Sequence, residues 1–117
     1  MDLNLKGKAA VVTGGSLGIG RAIAEELAGE GADVMIVARD AARVEAVANE
    51  IAAKGGGRVL GCAGDMTRPE DVARAMEAAR AAFGRIDILV NNAGASSMGR
   101  IADTPDATWE KSLSLKL

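Results

Sequence analysis

The sequence predicts an α/β fold, a doubly wound parallel sheet in which four strands alternate with helices. Three observations carry that expectation. Short, continuous apolar runs alternate with longer stretches whose apolar residues recur at helical spacing. Glycine clusters punctuate the handovers between them, and glycine is abundant at 15 of 117 residues. The helical stretches run to ten residues or more, which is the length a crossover between parallel strands requires.

The first strand is Ala9-Ala10-Val11-Val12-Thr13, a β-type run that ends at a glycine cluster. A helix follows from Ile19 to Glu30, where Ile19, Ile23 and Leu27 recur four apart and Gly29 with Gly31 supplies the stop signal. Asp33 to Ala38 is a second strand of buried type. Asp40 can cap the next helix, which runs to about Lys54 with Val44, Val47 and Ile51 on one face and ends at Gly55-Gly56-Gly57. Arg58 to Ala63 is the third strand, weakened by Gly61. Thr67 and Glu70 then stand as a T-x-x-E capping box with Pro69 in the first turn, where its missing N–H costs nothing. That helix places Val72, Met76, Ala79 and Phe83 on one stripe. Ile86 to Val90 is the fourth strand, with Asp87 inside it and both faces apolar, as a central strand should be. Asn91-Asn92-Ala93-Gly94 follows, and Thr104-Pro105 opens a last helix carrying Trp109, Leu113 and Leu117. No linker, low-complexity segment or repeat beyond this alternation divides residues 1–117, so one domain is expected.

Composition removes several chemistries. There is no His, so neither a Ser-His-Asp arrangement nor a His-ligated zinc site can be built from these residues. There is no Tyr, so a phenol acid or base must come from elsewhere. The formal charge of −2 includes no basic block, which argues against a nucleic-acid partner. Cys62 is the one cysteine, a small core residue by its apolar setting, and a reducing cytoplasm is the expected location. Met1 to Lys8 lacks the apolar segment of a signal peptide. No run approaches the roughly 18 apolar residues of a membrane span, so no membrane partner is expected.

The residues that carry chemistry begin at Thr13-Gly14-Gly15-Ser16-Leu17-Gly18-Ile19-Gly20, where the first strand hands over to the first helix. Glycines there let the backbone turn sharply and approach a pyrophosphate closely, and the helix N-terminus offers free N–H groups with a positive dipole end. A plain tight turn is the alternative reading of the glycines alone. Their place at the first strand–helix junction of a doubly wound pattern favours a Rossmann-type dinucleotide site. Lys and Ser or Thr do not follow the last glycine, so a P-loop for ATP or GTP is the weaker reading.

The spacing T-G-x-x-x-G-x-G resembles the cofactor motif of the short-chain dehydrogenase/reductase family. A second motif of that family, Asn91-Asn92-Ala93-Gly94, follows the fourth strand, and Asp65 after the third strand matches the family's adenine-facing position. The resemblance runs through essentially all 117 residues but corresponds to the N-terminal half of a family member. It implies that Gly14, Ser16, Leu17, Gly18, Ile19 and Gly20 hold the pyrophosphate and adenosine ribose. It also implies that Asp65 and the Met66 backbone face the adenine. Asn92, Ala93 and Gly94 would line the ribose region, while Asn91 braces the central strand; a simple turn is the alternative for the Asn pair.

Coenzyme choice is read at the end of the second strand, Val37-Ala38-Arg39-Asp40. A carboxylate there, roughly 20 residues past the glycines, would accept the ribose hydroxyl of NAD and repel a 2′-phosphate. Ala38 occupies that position, and Arg39 can fork onto a phosphate, with Ser16 adding a hydroxyl. The expectation is NADP(H) over NAD(H), against the alternative that Arg39 is a solvated loop charge.

Two departures from the family pattern stand out. Seven residues past Trp109 the family carries an Asn of a proton relay, and here the residue is Lys116. Either the relay is altered, with the ammonium taking the water-holding role, or the chain is of a divergent branch; the plain alternative is that Lys116 is only a solvent-side helix residue. The catalytic Ser and the Tyr-x-x-x-Lys segment, which would move the substrate proton while nicotinamide moves a hydride, come later in the family and are not present. Ser96 and Ser97 lack a base. No catalytic residue is therefore assigned, and the 117-residue chain alone is expected to be inactive. A fourth strand with nothing beyond it would expose an edge and invite association. A longer polypeptide, a covering chain or poor stability would each account for that, and the first is expected. The implied whole is an NADP(H)-dependent oxidoreductase for a small alcohol or ketone, homo-oligomeric when complete. A non-catalytic dinucleotide-sensing module is the rival reading. A Rossmann-like methyltransferase is a third, against which Asn91-Asn92-Ala93-Gly94 argues.

Overall fold

The computed structural model describes residues 4–14, 16 and 18–92. Strand β1 (Ala9–Thr13), helix α1 (Gly18–Gly29), strand β2 (Asp33–Ala38), helix α2 (Ala41–Ala52), strand β3 (Val59–Ala63), helix α3 (Pro69–Phe83) and strand β4 (Ile88–Asn91) follow one another in strict alternation. The four strands form one parallel sheet in the order β3-β2-β1-β4. Helices α1 and α2 cover one face through Ala24, Leu27, Ala28, Val44, Val47 and Ile51. Helix α3 covers the other through Ala75 and Ala79 against Val11, Met35, Val37 and Leu89. This is the doubly wound arrangement read from the sequence. It explains why β1 and β2 are apolar at successive positions, since each residue meets a helix layer on one side or the other.

The element ends follow local chemistry. The Asp40 side chain accepts a hydrogen bond from the Arg43 N–H at 3.0 Å and caps α2 as expected. Helix α3 stops at Gly84, which has φ +80°, a left-handed conformation that a glycine takes without steric cost. The turn from α2 into β3 presses on the end of α1. A Cβ on Gly57 would overlap the Ala32 carbonyl oxygen, and the Gly57 N–H donates to the Ala28 carbonyl at 2.9 Å.

Four sequence expectations require correction. The T-x-x-E capping box does not form, because the N-cap of α3 is Arg68 and makes no side-chain cap bond. Thr67 instead donates its hydroxyl to Asp65 at 2.7 Å, and Glu70 pairs with Arg68 at 3.5 Å. Pro69 does open the helix. Of the stripe expected on α3, Ala79 is buried and Met76 and Phe83 pack partly buried on the same core. The stripe omits Ala75, the helix's other fully buried position, because small residues let the helix sit close on the sheet. Ile19 lies off the α1 core face, 72% exposed, while Gly20 and Ala24 face inward. Strand β4 begins at Ile88, not Ile86, because Asp87 turns its carboxylate onto the Ala9 N–H at 2.8 Å and its own N–H to the Ala9 carbonyl. Cys62 is half-buried and packs beside the α3-side core. The helix expected from Thr104-Pro105, with Trp109, lies outside the described residues.

Candidate functional site

In a parallel sheet every strand ends at the same side, and the loops that follow collect there. The register places Thr13 opposite Val37 on one side and Asn91 on the other, and Ala38 opposite Ala63. The segments after β3, β2, β1 and β4 therefore form a row carrying Asp65, Arg39, the glycine turn and Asn92. The chain steps outward from β1 to β2 to β3 and then returns to the far side of β1 with β4. That reversal falls between β1 and β4, the position at which doubly wound sheets take ligands.

Two backbone features shape the glycine turn. Gly14 and Gly18 have φ of +68° and +56°, which a residue with a side chain adopts only with strain. Gly20 is required for a different reason. A Cβ there would overlap the Gly14 carbonyl oxygen and lie 2.8 Å from Asn92 Nδ2. The start of α1 thus packs backbone to backbone on the turn, with the Asn92 side chain against the same point. Ser16 is buried at 9% exposure within this turn, and Ile19 stands exposed on the first turn of α1.

The glycine turn and the Asn pair are joined through Thr13, which is 2% exposed. Its hydroxyl lies 3.0 Å from Asn91 Oδ1 and 3.4 Å from the Val90 carbonyl, and accepts the Asn92 N–H at 3.0 Å. Asn91 therefore braces β4 against β1, as expected from the sequence. Thr13 is the first residue of the T-G-x-x-x-G-x-G motif, to which the sequence assigned no role of its own; the structure makes it the link between the two motifs.

Farther along the row, Arg39 is exposed at the end of β2, next to Ala38, and Asp40 is committed to its cap. Asp65 Oδ1 accepts both the Thr67 N–H at 2.9 Å and the Thr67 hydroxyl at 2.7 Å. These two donors hold the Asp65 carboxyl below its ordinary range against partial burial, and the Arg39 and Arg68 charges act in the same direction. The Asp65 N–H donates to Asp71 Oδ2 at 2.8 Å. That bond lowers the Asp71 carboxyl, opposed by partial burial and assisted by Arg74. Met66 packs at the margin of the α3-side core.

Of the sequence-derived site residues, Gly14, Ser16, Gly18, Ile19, Gly20, Arg39, Asp65, Met66 and Asn92 are thus gathered on one edge of the sheet. Leu17, Ala93, Gly94 and Lys116 lie outside the described residues. Among the described residues no helix is long and apolar enough to cross a membrane.

Comparison with known proteins bears on this arrangement. The sequence model of the short chain dehydrogenase family matches residues 8–117. The 3-oxoacyl-(acyl-carrier-protein) reductase of Escherichia coli is 41% identical over 107 residues, covering 92% of this chain and 42% of the relative. The crystal structure of L-sorbose reductase from Gluconobacter frateurii, complexed with NADPH and L-sorbose, superposes with a TM-score of 0.77 at 50% identity. That match covers 80% of this chain and 36% of the reductase. The 3-ketoacyl-(acyl-carrier-protein) reductase of Brucella melitensis, complexed with NADH, superposes with a TM-score of 0.67 at 45% identity, covering 74% and 34%. The chain spans less than half the length of these relatives. Sequence motifs, sheet order and these matches agree: the chain belongs to the short-chain dehydrogenase family.

Proposed function

We propose that residues 1–117 form a dinucleotide-binding domain, the NADP(H)-binding half of an oxidoreductase. Its reaction is hydride transfer between nicotinamide and a small alcohol or ketone. The observation that carries this reading is the junction at the sheet's reversal point, where Thr13 bonds both Asn91 and Asn92 and Gly20 packs on Gly14. Gly20 packed on Gly14 holds the turn tight against the start of α1, while Gly18, where a Cβ would meet only open space, leaves bare backbone that suits an approaching pyrophosphate. Gly14, Ser16, Leu17, Gly18, Ile19 and Gly20 hold the pyrophosphate and adenosine ribose, Asp65 and the Met66 backbone face the adenine, and Asn92, Ala93 and Gly94 line the ribose region. The bound dinucleotide supplies or accepts the hydride. The residues of this chain bind and orient it.

Relatives occur with NADPH and with NADH, so coenzyme choice rests on this chain's own residues. Ala38 offers no carboxylate to a ribose hydroxyl, and the exposed Arg39 beside it presents a guanidinium fork to a 2′-phosphate. No catalytic residue is assigned within residues 1–117. A Ser and a Tyr-x-x-x-Lys from the remainder of a complete family member would handle the substrate proton, with Lys116 at the relay position, so the isolated chain turns over no substrate. The complete protein is proposed to be a cytoplasmic homo-oligomer. Family membership supports the oxidoreductase over a dinucleotide sensor.

Arg39→Ala tests the coenzyme assignment. Removing a charge-assisted fork is expected to weaken NADPH binding by about tenfold or more and leave NADH binding unchanged, as read by dinucleotide fluorescence. Unchanged NADPH affinity in Arg39→Ala, or equal affinity of the unsubstituted protein for the two dinucleotides, overturns it.

A further inference from the structure

The loop after β3 holds the Asp65 backbone and the Asp65 side chain by separate means. The backbone is tied by Asp71, whose Oδ2 accepts the Asp65 N–H at 2.8 Å and whose Oδ1 accepts Arg74 Nη1 at 2.9 Å. Arg74 Nη2 reaches on to the Ala63 carbonyl at 3.0 Å, and the Arg68 N–H donates to the Asp65 carbonyl at 3.0 Å. The carboxylate is tied by Thr67 alone, and both Thr67 donors go to the same oxygen, Oδ1. Rotation of an Asp carboxylate about its last bond is broad and intrinsically two-fold, so a carboxylate without such bonds samples many orientations. Two converging donors on Oδ1 select one. No hydrogen bond from a described residue takes Oδ2.

We propose that Thr67 is a positioning residue that sets purine selectivity by fixing Asp65 so that Oδ2 is left for the base of the dinucleotide. The inference rests on the cofactor-site reading above and adds a residue that reading leaves without a role. An ionised carboxylate accepts hydrogen bonds and cannot donate. A fixed Oδ2 therefore pairs with the 6-amino group of adenine and repels the 6-oxo group of hypoxanthine. A carboxylate free to turn away loses that discrimination while the pyrophosphate contacts persist.

The test compares the full-chain protein's affinity for NADPH and for its 6-oxo analogue, reduced nicotinamide hypoxanthine dinucleotide phosphate. The unsubstituted protein is expected to prefer the amino form by about tenfold, the scale of one hydrogen bond to a charged group. Thr67→Val keeps the shape and the backbone N–H but removes the hydroxyl, and should reduce the preference to about twofold or less. Thr67→Ser restores the hydroxyl and should restore the preference. An unchanged preference in Thr67→Val, or equal loss of affinity for both dinucleotides, overturns the proposal. NADPH binding without any base preference in the unsubstituted protein overturns it alone. Failure to bind NADPH at all overturns the cofactor-site reading and this inference with it.

Discussion

Two residues decide whether the site exists. Gly20 is required by sterics, since even one methyl group would collide with the Gly14 carbonyl and crowd Asn92. Gly20→Ala is expected to cost about 1–3 kcal/mol, the range for overpacking a tight contact, and to weaken NADPH binding, both measurable by urea titration and fluorescence. Thr13 acts by hydrogen bonding. Thr13→Val removes the hydroxyl partner of the part-buried Asn91 Oδ1 and leaves the Asn92 N–H only the longer bond to the Thr13 carbonyl at 3.3 Å, at an expected cost of about 1 kcal/mol. Gly20 was legible in the sequence because its spacing from Gly14 and Gly18 places it at the start of a helix. Thr13 was legible as the first residue of the motif but its bracing role was not, because the group it serves lies 78 residues away and only the strand pairing brings them together. Ile19 misled for a local reason: spacing aligned it with Ile23 and Leu27, whereas the first turn of α1 leaves it in solvent.

At the scale of elements, the alternation was legible because parallel strands covered on both faces must be apolar throughout, and glycines end their helices. Element ends were less so, since side chains there choose among competing backbone partners. Thr67 serves Asp65 in preference to the α3 N-cap, and Asp87 serves Ala9 in preference to joining β4. Asp87 also makes the fold acid-sensitive. Burial pushes its carboxyl up, but the Arg85 side chain and the Ala9 N–H outweigh this and hold it below the ordinary Asp value of 3.8. A lowered native pKa means that the unfolded chain binds more protons as the medium is acidified. The Asp87 contribution is then complete above the unfolded value and is lost as pH falls through the native one. Urea midpoints measured from about pH 5 downward should therefore fall, and more shallowly in Asp87→Asn. An equal slope in the variant would remove Asp87 from the account. The pair Arg21–Glu50 at 2.7 Å joins α1 to α2 and Lys54–Glu25 at 3.0 Å joins α1 to the turn after α2, but both are solvent-accessible, and their removal should change stability by about 1 kcal/mol or less.

For the whole molecule, the order β3-β2-β1-β4 has one functional consequence: it brings the ends of all four strands to one edge, with the reversal between β1 and β4. The central claim is that a dinucleotide lies along that edge, from Asp65 past Arg39 and the glycine turn to Asn92. Amide hydrogen exchange of the full chain with and without saturating NADPH tests this most directly. Protection should appear in peptides covering residues 13–20, 38–40, 64–67 and 91–94. Peptides covering residues 54–58, at the opposite edge of the sheet where α2 returns to β3, should exchange as before. Protection centred on residues 54–58, or none at the glycine turn, would contradict the account.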